Sequence, residues 1–300
     1  MNNISLKEIL ELIWLEKFLF IFTILAFAIS SVFYALSIDN VYQSEAVLEV
    51  QSDDKNNIPM NGALASLRSY SSMANISLSG ETSKTDFALE LLKSRELFNQ
   101  LLKKNNYLPM IIATDYYDPL SKNIIYKSEI YNQTEERWIR KPSGYKKAKP
   151  SYLEAHRFFK KHILNISKNK ETNYIHISIE HESPLFANEL LTALINTANQ
   201  YTRMKDLEEA ETSLNYLESE LGKYGVTAIE NSINEMIQTT LGKKMLTNVR
   251  KDYLLKTIDP PYIPERKHRP SRALIAIFVT LLGSLISVFL VLLKHKKIKI

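Results

Sequence analysis

Two charge-free apolar stretches, one towards each end of the chain, constrain what it can fold into more than any other feature. The first runs from Phe18 to Ile38, between Lys17 and Asp39, and the second from Ala273 to Leu293, between Arg272 and Lys294. Each is 21 residues long and contains no Asp, Glu, Lys, Arg or His. At about 1.5 Å of rise per residue, such a segment crosses a hydrocarbon core of roughly 30 Å. No water reaches the backbone there, so every N–H and C=O must pair within the segment, and both stretches must be helices. A helix packed in an aqueous protein is normally amphipathic and seldom stays uncharged for so long. A cleaved signal peptide is the rival reading for the first stretch. Against it, Glu8, Glu11 and Glu16 precede the apolar run, and no small-x-small cleavage pattern follows. The run also exceeds the roughly 7–15 residues of a signal core. It reads as an uncleaved anchor.

The chain therefore divides into an N-terminal segment 1–17, a transmembrane helix 18–38, a large segment 39–272, a transmembrane helix 273–293 and a tail 294–300. Two spans place both termini on one side. Lys7 and Lys17 precede the first span, whereas the nearest base after it is Lys55, and Lys294, Lys296, Lys297 and Lys299 follow the second. Both flanks favour cytoplasmic termini. Arg266, Lys267, Arg269 and Arg272 oppose this, but long loops translocate with little regard to charge. The expectation is a two-span protein of a bacterial inner membrane, with residues 39–272 in the periplasm.

That outer segment of 234 residues is long enough for a sizeable core. The absence of cysteine excludes disulfides, zinc–thiolate centres and cysteine nucleophiles. The net charge of +5 owes much to the flanks of the second span, a distribution that suits anionic lipid headgroups better than nucleic acid. With 7 glycines, and neither a P-loop nor a G-x-G-x-x-G pattern, phosphate-cradling loops are not expected, and no cofactor is implied.

Within the outer segment the patterning is mixed, which predicts an α+β domain. Ser5-Leu6-Lys7-Glu8 has the form of a capping box, so a helix is expected to open near Leu6. Val41 to Val50 alternates, with Tyr42, Ser44, Ala46, Leu48 and Val50 on one face, as a half-buried strand does. Residues 51–62 are loop-like, and helices are expected over 63–74 and 84–105. From Asp115 to Pro150 periodicity is weak and the stretch reads as loop. A second capping box, Ser151-Tyr152-Leu153-Glu154, opens a helix to about His162. Ile175, Ile177 and Ile179 mark a second strand, with His176, Ser178 and Glu180 facing the other way.

The longest helical signal follows. From Ser183-Pro184 apolar residues recur at threes and fours: Leu190, Leu194, Ala198, Tyr201, Met204, Leu207, Ala210, Leu214, Leu217 and Leu221. A helix over 184–222 would be a rod of roughly 57 Å, far above the usual 11–12 residues. Such a rod should project or pack into an oligomer. A further helix over 226–249 and a third strand over 251–258 lead to Asp259-Pro260-Pro261.

Chemistry-bearing residues form no recognisable constellation. His176 and His181 lie five apart in a strand, on opposite faces, and His156 and His162 lie six apart on a helix, so no metal site is expected. Gly-x-Ser-x-Gly is absent. Glu135-Glu136 and Asp115/Asp118 are carboxylate pairs in loop-like sequence, where solvated acids are the ordinary reading. The basic run Arg137, Arg140, Lys141, Lys146, Lys147 and Lys149, around Trp138 and Tyr145, could meet an anionic polymer or a pyrophosphate; a solvated loop is the commoner case.

In this order the pieces resemble the Wzz family of polysaccharide chain-length determinants, a branch of the polysaccharide co-polymerases. The resemblance lies in Ile13-Trp14 before the first span and Val41-Tyr42-x-Ser44-x-Ala46-x-Leu48-x-Val50 after it. It continues in Leu92-Lys93-Ser94-Arg95, Lys149-Pro150-Ser151 and Glu182-Ser183-Pro184-x-x-Ala187-Asn188. Its most specific part is Asp259-Pro260-Pro261-x-x-Pro264-x5-Pro270-Ser271-Arg272, with Gly283 inside the second span. The chain departs from the family in reading Pro-Ser-Arg where Ser-Pro-Lys is more usual, and in reducing a glycine-rich patch to Gly283-Ser284. The resemblance implies a non-enzymatic regulator of O-antigen-type surface polysaccharide length. It would form ring-like homo-oligomers and act on a polymerase and its lipid-linked polysaccharide. Some relatives join a cytoplasmic tyrosine kinase; this chain, with seven residues after its second span and no Walker motif, is expected to carry none.

Physics gives the prolines a reason of their own. Each fixes φ near −65° and removes a donor, so residues 259–270 should form a stiff, extended strut. Pro261, Pro264, Pro270, Ser271, Arg272 and Gly283 are thus the candidate functional residues, structural rather than catalytic. The competing readings are a co-polymerase for capsule or exopolysaccharide export and, in a different class, a two-span periplasmic sensor; an enzyme acting on glycan has no constellation behind it.

Overall fold

A computed structural model describes residues 14–51, 84–144, 146–223 and 227–298. They fall into two compact units: a terminal unit up to Tyr42 and from Arg266, and a central unit from Gln43 to Glu265. The helices expected near Leu6 and over 63–74 lie outside the described residues. The first apolar stretch is helix α1 (Lys17–Ser37).

Strand β1 (Tyr42–Val50) buries Ser44, Ala46 and Leu48 and exposes Glu45, as the alternation requires. The expected helix over 84–105 is two, α2 (Lys84–Leu92) and α3 (Arg95–Lys104). Ser94 makes the break: its backbone is extended and its hydroxyl accepts from the Leu97 N–H at 3.1 Å, capping a new helix. After the short α4 (Leu108–Ile112), the stretch read as loop contains two antiparallel ribbons, β2 (Thr114–Asp118) with β3 (Asn123–Tyr126) and β4 (Tyr131–Asn132) with β5 (Arg137–Trp138). Their strands are too short for periodicity to register. Tyr126, Tyr131 and Trp138 hold them together by edge-on ring contacts at 5.3 and 5.1 Å. The second capping box opens α5 (Tyr152–Phe158), where Ser151 accepts from the Glu154 N–H, and a π-helical turn, Phe159–Ile163, ends it.

Strand β6 (Leu164–Lys168), which the patterning did not announce, pairs antiparallel with β7 (Ile175–His181). Ile175, Ile177 and Ile179 are buried as expected, but so are Ser178 and Glu180. The Asn165 amide of the neighbouring strand donates to the Glu180 carboxylate at 2.9 Å, which offsets part of the desolvation of that carboxylate.

Helix α6 (Pro184–Glu220) matches the long rod, two residues short of the expected end. Ser183 caps it and Pro184 occupies its first turn. Gly222 lies just beyond, at φ +81°, a left-handed conformation that suits glycine after a helix end. The first half of α6 buries Phe186, Leu190, Leu191, Leu194 and Ala198 in the core with Leu48, Phe98, Phe159 and Ile177. The second half is covered by α7 (Thr227–Val249), which folds back along it. Lys244 pairs with Glu211 at 3.0 Å, and Arg203 donates to the carbonyls of Arg250 and Lys251, so the two helices run antiparallel. Ala210, Leu214 and Leu217 are buried there, so much of the stripe expected to seek another copy is covered within the chain.

The return strand β8 (Leu255–Asp259) starts later than expected and completes a sheet in the order β6-β7-β1-β8, antiparallel to β1. Asn199, buried on α6, receives it: its Oδ1 accepts from the N–H groups of Leu254 and Leu255 at 2.9 and 2.7 Å, and its amide donates to the Leu255 carbonyl at 2.9 Å. The second apolar stretch follows as α8 (Arg272–Ile298).

His181 closes the other end of the core. The Ser183 N–H donates to its Nδ1 at 3.0 Å, so the ring proton sits on Nε2, which faces the Met110 carbonyl at 2.9 Å. Burial holds its pKa below the ordinary value, against the opposing pull of Glu182 at 3.5 Å. The unfolded chain therefore binds the proton first. The stability this neutral ring gives is complete above about pH 6.5 and is lost as pH falls below it, at up to about 1.4 kcal/mol per pH unit. Thermal unfolding followed by circular dichroism should show a lower midpoint at pH 5.5 than at pH 7.5, and His181→Gln should flatten that dependence. Equal slopes in the two proteins would reject the assignment.

Candidate functional site

The six residues singled out by sequence divide between the two units: Pro270, Ser271, Arg272 and Gly283 belong to the terminal unit, Pro261 and Pro264 to the central one.

In the terminal unit α1 and α8 pack side by side, and at Gly283 the two approach closely. A Cβ built on it would lie 2.5 Å from Cβ of Phe27 and 2.7 Å from its Cγ. One turn along, Thr23 donates to Ser287 Oγ at 2.6 Å, and Ser287 in turn lies 3.2 Å from the Phe20 carbonyl. Ser31, Ala35, Ser287 and Val291 are buried in the same seam. Small residues and paired hydroxyls are what holds helices together in lipid, where apolar burial between them provides no net drive. In contrast, Phe22, Phe33, Phe278, Leu282 and Phe289 remain exposed on the outer faces. The two helices pass as candidate membrane spans, Lys17–Ser37 and Arg272–Lys294, with mean hydropathy 2.3 and 2.8.

Charge marks both ends of this pair. Lys294 reaches Glu16 at 2.7 Å. At the opposite end Arg272 donates to the Ala35 carbonyl at 3.0 Å and to Asn40 Oδ1 at 3.2 Å. Ala35 is in the last turn of α1, where carbonyls lack helical partners, so the guanidinium caps one helix while opening the next. Val41 bridges to Arg269 through backbone hydrogen bonds of 2.9 and 3.1 Å. Pro270 and Ser271 provide the carbonyls that accept from Arg272 and Ile275 and start α8.

In the central unit, Asp259 is the last residue of β8 in register with β1, opposite Val47. Pro260 and Pro261 have no N–H with which to continue the ladder. A side chain takes over: Ser44 donates to the Tyr262 carbonyl at 2.7 Å. Pro264 is buried and Pro261 half-buried, so this part of the segment is packed rather than free in solvent. Tyr262 has its pKa raised by partial burial and by Glu45 and Asp259 nearby.

The other candidates are dispersed. Asp118 caps its own turn, accepting from Leu120, Ser121 N and Ser121 Oγ, and these bonds lower its pKa. Glu135 and Glu136 are exposed, with Glu135 3.3 Å from Arg137. His176 is exposed while His181 is buried, and His156 is buried while His162 is exposed. Within the basic run Arg140 is committed to Glu154 at 2.6 and 3.0 Å, whereas Lys141, Lys146, Lys147 and Lys149 are exposed. The residues that sequence reasoning missed in the seam are Thr23, Phe27 and Ser287. Hydroxyls inside charge-free helices were the available signal, since each must find a partner in lipid.

A family model described as Wzz, chain length determinant protein, matches residues 2–105, so the resemblance drawn from the residues is met over that third of the chain. No curated protein matches. Among solved structures, a full-length bacterial polysaccharide co-polymerase aligns over 99% of this chain and 99% of its own, with 12% identity and a TM-score of 0.41. A fragment of WzzB, a polysaccharide co-polymerase from Salmonella Typhimurium, aligns over 77% of this chain and 100% of its own, with 12% identity and a TM-score of 0.29.

Proposed function

We propose that this chain is a non-enzymatic regulator of surface polysaccharide length, of the O-antigen type. It acts as an oligomeric scaffold on a polymerase and its lipid-linked glycan. The observation that carries this reading is the match of residues 2–105 to the chain-length determinant family. The two candidate spans agree with a bacterial inner membrane, and the lysine asymmetry favours cytoplasmic termini with the central unit in the periplasm. Alkaline phosphatase fused near residue 150 should then be active and the same fusion after Ile300 inactive.

The Pro-rich segment tests the function directly. Deleting the gene should abolish the preferred polysaccharide length on a gel of extracted material, while polymer is still made. Complementation with the wild-type chain should restore the band. Replacing Pro261, Pro264 and Pro270 together by Gly frees the backbone at three positions, at about 1 kcal/mol each at most. Folding and assembly should survive this change while the modal band broadens. An unchanged band would make these prolines a plain connection.

A second copy of this chain is the proposed partner of the helical hairpin. Leu241, Met245 and Val249 recur at four-residue spacing on one face of α7, and Met245 and Val249 are 68% and 81% exposed. Exposed apolar residues in a row mark an interaction surface. Cross-linking in mild detergent should give species above the monomer, and Met245→Glu with Val249→Glu should reduce them. A chain that stays monomeric at every concentration would contradict the scaffold.

A further inference from the structure

The connection that leads into α8 is basic. Arg266, Lys267, Arg269 and Arg272 all belong to the terminal unit, and Asp39 is the one carboxylate the sequence places at the same end of that unit. Glu265 precedes them in the central unit. Backbone bonds hold the connection in place. The N–H groups of His268 and Arg269 donate to the Val41 carbonyl at 2.8 and 3.1 Å, and the Val41 N–H donates to the Arg269 carbonyl at 2.9 Å.

The four cations are not used alike. Arg272 is engaged with the Ala35 carbonyl and Asn40. Arg266 and Arg269 are exposed and Lys267 is half-buried. Among the described residues, Arg266 and Lys267 make no ion pair and no side-chain hydrogen bond. These two have charge to give to a ligand.

Their depth follows from the two spans. Trp14 and Tyr34 are both exposed, and at helical rise they stand about 30 Å apart, the thickness of a hydrocarbon core. Such rings sit at the two membrane–water interfaces. Beyond each interface the headgroup layer is about 5–8 Å deep. Val41, to which Arg269 is joined, follows the last residue of the charge-free run, Ile38, at about 10 Å of chain at most. Arg266 and Lys267 lie a few residues further, and their long side chains can return to the same level.

A plain span needs no cations at this end. They oppose the insertion that Lys17 and Lys294 favour at the other, so their presence calls for a partner that offsets the cost. Guanidinium and ammonium groups suit phosphate. Their depth selects the phosphate of bilayer lipid over one free in solution. We propose that Arg266 and Lys267, with Arg269 beside them, bind the phosphate of anionic phospholipid in the leaflet where the chain passes between the spans and the central unit. Because Val41 and Arg269 are joined, such contacts fix the depth of both span ends at once. This depends on the two spans and is independent of the regulatory reading above.

The experiment uses the full chain in phosphatidylcholine nanodiscs that contain a trace of nitroxide-labelled lipid, either phosphatidylglycerol or phosphatidylcholine, with the nitroxide close to the headgroup. The chain has no cysteine, so Ser271→Cys, at an exposed position, carries a single fluorophore near the cations. Labelled phosphatidylglycerol should quench it at about 25-fold lower mole fraction than labelled phosphatidylcholine, two cations at about fivefold each. Arg266→Gln with Lys267→Gln should bring that preference down to a few-fold without moving the thermal midpoint, since neither side chain has a partner to lose. Arg266→Lys with Lys267→Arg should keep it. Added salt should weaken the preference in the wild type and change it little in the glutamine variant. Equal quenching by the two lipids, or a preference that survives the glutamine changes, would overturn the proposal. Release of labelled phosphatidylglycerol by inorganic pyrophosphate, where sulfate at the same ionic strength releases none, would also overturn it and assign the cations to a phosphate group free in solution.

Discussion

Replacing Gly283 by valine is expected to drive the two candidate membrane helices, α1 and α8, apart. Glycine in a helix interior costs about 1 kcal/mol relative to alanine, so its place in the middle of α8 calls for a packing reason. The Phe27 side chain provides one, since its Cβ would lie 2.5 Å from any Cβ at position 283. The atoms in the way are next to the Phe27 backbone, not at the tip of a flexible chain, so rotation about χ1 cannot clear them both. Overpacking of this kind costs about 1–3 kcal/mol, and in lipid little apolar drive opposes separation. The chain has no cysteine, which allows a clean readout. Thr23 and Ser287, joined by a 2.6 Å hydrogen bond, can be changed to Thr23→Cys and Ser287→Cys, and a disulfide there needs Cβ atoms about 3.5–4.5 Å apart. Oxidation should join the pair readily with Gly283 and several-fold less with Gly283→Val. Equal yields would mean that the seam absorbs the extra bulk and that Gly283 is not its contact point.

How much of this was legible in the sequence depends on the length and isolation of each signal. The two spans, β1 and the rod of α6 were readable because their patterns run over many residues and are bounded by caps or charges. Ser94 shows the opposite case: Leu89, Leu92, Leu97 and Leu101 keep helical spacing across it, so the pattern alone joined two helices that a single cap divides. The ribbons over 114–138 were invisible because strands of two to five residues hold no period, and their stabilising contacts are between aromatic rings distant in sequence. Glu180 and Ser178 followed the outward alternation of β7 and are buried all the same, because Asn165 arrives from a strand the pattern did not announce. For the candidate site, Gly283 and Arg272 were readable as residues but their partners Phe27 and Ala35 were not, since pairing between helices is set by three-dimensional packing and leaves no trace in either segment alone. The α6 stripe was read as seeking another copy; α7 covers its second half, and the exposed apolar row lies on α7 instead.

Asn199 is where the central unit should prove most fragile. It sits beside Ala198 in the most apolar part of α6, and a polar residue there is buried only because the chain returning from α7 needs it. Its side chain satisfies two successive N–H groups and one carbonyl of residues 254 and 255, all within 2.9 Å, at the point where β8 begins its pairing with β1. Asn199→Leu fills the volume but leaves all three backbone groups buried without partners. Each such orphan costs about 1–3 kcal/mol, with relaxation and entering water lowering the sum. A total of about 3–5 kcal/mol is expected, a large part of the roughly 5–15 kcal/mol that stabilises a whole domain. Asn199→Asp separates the contributions: its carboxylate can still accept from Leu254 and Leu255 but has no donor for the Leu255 carbonyl. At neutral pH it should fall between the wild type and the leucine variant. Thermal unfolding of the full chain in detergent, followed by circular dichroism, would read all three. A leucine variant as stable as the wild type would mean that residues 254 and 255 find other partners, and that β8 reaches its place beside β1 without this clasp.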